Sequence, residues 1–133
     1  MIETAGETRI TECPDYLRVD FGSADSVEIA ETYRRFADLC IANQVTCVLL
    51  TAGDNDPGIH RRLDDALVTM ASAAAIAPDF KLALVPSTLP IAAVYRETQR
   101  RLRIAGLNAW VFDSMDEAVE WLEGRAVSGP AAS

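Results

Sequence analysis

His60 is the single histidine of the chain, with Asp56 four residues before it and Asp64 four residues after it. Imidazole is the side chain whose ordinary pKa falls nearest neutrality, and an aspartate-oriented histidine is half of a hydrolase triad. The other half is missing. The sequence has no Gly-x-Ser-x-Gly elbow, and no cysteine is expected on an exposed loop. One histidine is also too few for a catalytic zinc set. The spacing of His60 and Asp64 therefore reads as a surface pair supporting a helix. Upstream, Asp54-Asn55-Asp56-Pro57-Gly58 opens like a calcium loop. That loop needs glycine at its sixth position and a bidentate glutamate at its twelfth. Counted from Asp54, those positions hold Ile59 and Asp65. The motif fails, so no metal and no cofactor is expected. The segment reads as a turn that caps a helix, with Thr51, Asp54, Asn55, Asp56 and His60 offered as a contact surface.

Two further clusters carry charge or hydroxyls. Arg96, Arg100 and Arg103 recur along one side of a helical stretch, with Arg101 adjacent. They form a solvated face or a dock for a partner's carboxylate or phosphate, since the guanidinium fork matches both. Ser87 and Thr88 precede a helix start, where free backbone N–H groups can hold an anion. No glycine-rich phosphate loop accompanies them. Of the three cysteines, Cys13 belongs to a Cys-Pro-Asp turn, while Cys40 and Cys47 fall in apolar patterns and read as core.

The elements that must position these residues follow from periodicity. Thr8 to Glu12 and Tyr16 to Phe21 read as a hairpin, the second strand alternating Leu17, Val19 and Phe21 with Arg18 and Asp20. Asp25 or Ser26 starts a helix that runs to about Ala42. Val45 to Leu50 is a nearly continuous apolar run, the mark of a strand buried on both faces. One helix is expected from Ile59 to Ala77, stopped by Pro78, with inward Leu63, Leu67, Met70 and Ala74. Phe80 to Val85 is a strand, Pro90 to Ala105 a helix, and Asn108 to Phe112 a strand. Ser114 caps a last helix to Glu123, with Trp121 placed off its apolar stripe, at the rim. The segments 1–7 and 125–133 are expected to be a flexible N-terminus and a disordered tail around one domain, 8–124. Alternation of helix and strand calls for a single-domain, mainly parallel sheet with helices over it.

Bulk properties narrow the function. The 133 residues are half hydrophobic and about a quarter charged, which is globular composition. A net charge of −8 disfavours nucleic acid and anionic membranes, and suits a basic partner. The N-terminus lacks a basic region and an apolar run, and no stretch is long enough to span a bilayer. With an odd cysteine count, the expectation is a cytoplasmic protein.

The element order, closed by Val111-Phe112-Asp113-Ser114 through Trp121-Leu122, resembles the SpoIIAA-like, STAS-type domains. That family includes bacterial anti-sigma factor antagonists and the cytoplasmic parts of sulfate transporters. The resemblance spans Tyr16 to Leu122. It implies a four- to five-stranded sheet with an N-terminal β-hairpin and about four helices largely on one side. In the antagonists, a loop after a central strand carries an Asp-Ser pair whose serine is phosphorylated to switch partner binding. The matching loop here, Thr51 to Gly58, has aspartates and no serine. The expectation is thus a non-enzymatic regulatory or protein-interaction domain, partnered by an unidentified protein or by itself. A homodimer is expected through the slim Ala71 to Ala75 region. The alternative is a carrier or sensor of a small apolar or lipid-like ligand, held between helices and sheet.

Overall fold

A computed structural model describes residues 2–5, 8–75 and 79–124. Strands β1 (Ile2–Ala5), β2 (Thr8–Glu12) and β3 (Leu17–Asp20) form an antiparallel meander. Strands β4 (Cys47–Thr51), β5 (Lys81–Val85) and β6 (Asn108–Val111) extend it in parallel from β3. The six strands lie side by side in chain order. The expected four or five strands become six because residues 2–5, assigned to a flexible N-terminus, pair along β2 from Ile2↔Thr11 to Ala5↔Thr8. The expected tail 125–133 and the Pro78 helix stop lie outside the described residues.

The helices are α1 (Ser26–Asn43), α2 (Pro57–Arg62), α3 (Asp64–Ala74), α4 (Leu89–Ile104) and α5 (Met115–Leu122). Parallel strands joined by right-handed crossovers that always step the same way put every crossover helix on one face. That face carries the larger core, in which Val48, Leu50, Leu82 and Leu84 meet Ile29, Phe36, Leu67 and Ile91. Helix α5 follows the last strand and is no crossover. It folds under β4 and β5, where Leu49 and Ala83 meet Ala118, Trp121 and Leu122. Strands β4 and β5 are therefore buried on both faces, which is why their sequences are unbroken apolar runs. Trp121 is buried rather than at the rim, its ring 5.3 Å from Phe112 and beneath the Lys81 ammonium. A helix lying flat under a sheet needs a wider apolar face than one narrow stripe.

Two expectations about the middle of the chain change. The single helix from Ile59 to Ala77 is two, bent at Leu63 (φ −97°, ψ 9°). Hydrogen bonding runs through the bend, from Leu63 N to Ile59 O and from Leu67 N to Leu63 O, so the apolar period gives no sign of it. The two halves differ in their neighbours: α2 packs on α4, and α3 packs on both α1 and α4. Within the slim stretch, Ala71 and Ala74 are buried in the core and α3 packs on α1, while Ser72 and Ala73 stay exposed. Among the described residues, no helix is long and apolar enough to cross a membrane.

Candidate functional site

The carboxyl ends of β3, β4 and β5 meet in one corner, built largely from backbone. Phe21 N donates to Thr51 O (3.2 Å), Ala52 N to Val85 O (3.0 Å) and Asp54 N to Gly22 O (2.7 Å). Gly53 lies at φ +72°, and a Cβ there would stand 2.3 to 2.7 Å from the backbone of Gly22. Only glycine permits both that conformation and that approach. Ser87 Oγ donates to Gly53 O and joins the third strand's loop to the other two.

Asn55 is the polar centre of the corner. Its Nδ2 donates to Gly22 O (3.0 Å) and to Ala52 O (2.7 Å). Those two carbonyls fix the amide orientation, so Oδ1 faces His60 Nε2 at 2.5 Å and accepts its proton. The imidazole is therefore the Nε2–H tautomer, with a bare lone pair on Nδ1. His60 is only 2 % exposed. Its ring packs edge-on against Tyr95 (5.2 Å) and tilted against Phe21 (6.1 Å). Neither His60 Nδ1 nor the Tyr95 hydroxyl, both buried, has a hydrogen-bond partner among the described residues. Burial lowers the His60 pKa to about 4. It raises those of Tyr33 and Tyr95, the first also under the nearby Asp64 charge.

This overturns the expected surface His60–Asp64 pair. Asp64 instead accepts from Thr98 Oγ1 and pairs with Arg101, both on α4, while the neighbouring Asp65 takes Arg101's other nitrogen. The bend at Leu63 separates the two residues' roles. His60 is a buried staple, and it cannot belong to a partner-binding surface as expected. A histidine that stays neutral to about pH 4, with its proton held by an amide, is a poor general acid–base group near neutrality. Cys13, half-buried in the β2–β3 turn, is a thiol on a loop, yet it sits at the opposite end of the sheet.

The other expected site residues scatter. Thr51 Oγ1 donates to Asp20 (2.5 Å), which Arg18 also holds at 3.0 Å. Asp56 caps α2 by accepting from Gly58 N (2.9 Å), and Thr88 caps α4 by accepting from Ile91 N (3.3 Å). With Ser87 tied to Gly53, both hydroxyls assigned to an anion already have intramolecular partners. Asp54 and Asp56 remain exposed. The arginine stripe lies on a different surface. Arg96 stands 3.7 Å from Asp113, Arg100 pairs with Glu97, and the Arg103 guanidinium stacks 4.0 Å over Trp110. Asp20, Phe21, Gly22 and Tyr95 are site components that sequence reasoning missed, and Arg101, noted only as adjacent to the arginine stripe, pairs with Asp64 and Asp65 instead. Only Gly22 left a signal, as a glycine ending one strand just as Gly53 follows another.

What the corner can do is hold a shape. Because the strand order never reverses, adjacent crossover helices do not part to opposite faces, and the crevice that usually takes ligands in open α/β sheets does not form. A cleft of about 480 Å³ lies at the other end, lined by Cys13, Tyr16, Gln44 and Cys47. A groove of about 540 Å³ lies beside Arg100, Arg103, Ile104 and Trp110. Among the described residues, no group of three or more His, Cys, Asp or Glu side chains is placed to hold a metal ion.

The chain matches no protein-family model, no curated protein and no solved structure.

Proposed function

We propose that this chain is a cytoplasmic, non-enzymatic, STAS-like regulatory domain that recognises a protein partner through the corner 51–58 and the start of α4. The observation that carries this reading is a division of labour within the corner. Asn55, His60, Thr51 and Ser87 are spent on internal bonds, while Asp54, Asp56 and Leu89 face solvent. A rigid loop that presents two carboxylates and an apolar knob suits a basic surface with an apolar hollow. The bond from Thr51 to Asp20 also supports a corner without the family's hydroxyl switch. Phe21, Tyr33, Phe36 and Tyr95 fill the layer where a carried ligand would sit, and nothing favours that alternative.

The test is affinity capture from native extract with the wild type and with Asp54→Lys/Asp56→Lys/Leu89→Asp. All three side chains are exposed, but Asp56 also caps α2, so Asp54→Lys/Leu89→Asp, which spares the cap, serves as the variant whose melting temperature should match the wild type. The expected result is a partner held by the wild type and lost by the variant. Identical captured sets would sink the proposal.

A further inference from the structure

The exposed large apolar side chains divide between the two ends of the molecule. Helices α1 and α4 each connect parallel strands, so both start at the carboxyl end of the sheet and finish at its amino end. Val27 (63 % exposed) and Leu89 (87 %) occupy their first turns, and Ile41 (46 %) and Ile104 (74 %) their last. Isolated exposed apolar residues are ordinary on a protein surface. Their charged surroundings are what distinguish these. At the carboxyl end with Val27 and Leu89, exposed Asp25, Asp54, Asp56 and Asp113 outnumber the exposed Arg61 and Arg62 of α2. At the other end of α4, Arg100 and Arg103 flank Ile104 and Trp110 around the 540 Å³ groove. Arg103 makes no ion pair among the described residues and is held in place by stacking on Trp110.

One end is thus apolar and acidic, and the far end of α4 is apolar and basic. The 16 residues of α4 separate them by about 24 Å, so they cannot meet within one copy. We propose that the acidic corner of one copy docks on the arginine–tryptophan groove of the next, with Leu89 seated against Ile104 and Trp110. This inference rests on the corner being a contact surface and names its partner as a second copy of the chain. The contact is heterologous, so the assembly grows head to tail into an open filament or a ring. Aspartate–arginine contacts at its rim make it salt-sensitive.

The experiment is sedimentation velocity on the full chain, from low micromolar to near-millimolar, at low and high salt. The wild type should associate with rising concentration, more weakly at high salt. Leu89→Asp, which breaks the corner, and Arg103→Glu, which breaks the groove, should each associate at least tenfold more weakly. Their equimolar mixture should form a dimer that grows no further, because each variant retains the surface the other lacks. Ala73→Asp, on the exposed side of α3, should behave as wild type. A wild type that is monomeric throughout, a mixture that stays monomeric, or a loss of association in the Ala73 variant alone would each overturn the proposal. A monomeric wild type that still captures a partner in a corner-dependent way removes only self-recognition. If that capture fails as well, the contact-corner reading falls with it.

Discussion

At the scale of single residues, the corner is held by a short chain of dependencies. Gly53 must be glycine, Asn55 ties the loop to two carbonyls, and His60 anchors that amide from inside the core. Gly53→Ala should cost about 3 kcal/mol or more, since its methyl would enter the Gly22 backbone at a positive φ. Asn55→Ala removes three hydrogen bonds and should cost about 2 to 3 kcal/mol by chemical denaturation. His60 makes stability depend on pH. Its pKa falls from 6.5 in the free state to about 4 in the fold. The unfolded chain therefore binds the proton more readily, and stability rises with pH across that window. The contribution is complete above pH 6.5 and is lost as pH falls towards 4, a span worth about 3 kcal/mol. In His60→Leu that component should vanish. The gap in pH slope between wild type and variant, measured by urea unfolding, checks it, and parallel profiles would refute it. The sequence offered His60 as a candidate because of its type. Its burial depends on Phe21 and Tyr95, which come from distant segments, so no local pattern carries it.

At the scale of elements, the bend at Leu63 decides most of the departures. It lets α2 carry His60 into the core while α3 aims Asp64 at α4. Asp64 is half-buried and bonded to both Thr98 and Arg101, whereas Asp65 is exposed. Asp64→Ala should therefore cost about 2 kcal/mol, since it strips a charge-assisted bond from Arg101 and leaves Thr98 short of one partner. Asp65→Ala should cost less than about 0.5 kcal/mol, as exposed ion pairs do. Equal losses in thermal or urea melts would contradict this picture. The cysteines make a second case. Cys13 N bonds Tyr16 O, and the β3–β4 register continues Tyr16 beside Cys47. Two strand spacings then separate Cys13 from Cys47, about 10 Å, which is beyond the reach of a disulfide. Cys40 is buried, and burial pushes its thiol up to about 12. A thiol reagent should modify Cys13 and Cys47 in the native protein well before Cys40, and equal rates would argue against this burial pattern.

At the scale of the whole molecule, a sheet in chain order with crossovers of one hand leaves its second face, among the described residues, to α5. Trp121 takes much of that duty. Trp121→Ala should cost about 3 to 5 kcal/mol, a core-sized penalty that a rim residue would not show in denaturant melts. The same topology sends the starts of α1 and α4 to one end and their finishes to the other. The two charged, apolar ends of the molecule are a consequence of that arrangement.

The sequence by itself determined the alternation of helix and strand, the doubly buried central strands and the cap at Ser114, and narrowed the first helix cap to Asp25 or Ser26. Those properties are written in local periods and in residue types at fixed offsets. The tertiary structure alone decided that His60 is a staple rather than a surface ligand, that Asp64 belongs to Arg101, that Trp121 lies in a core, and that Ala71 and Ala74 serve α1. Each of those outcomes depends on which distant element arrives opposite a residue. In the strand-end corner that first suggested chemistry, His60, Asn55, Thr51 and Ser87 are all bonded within the fold.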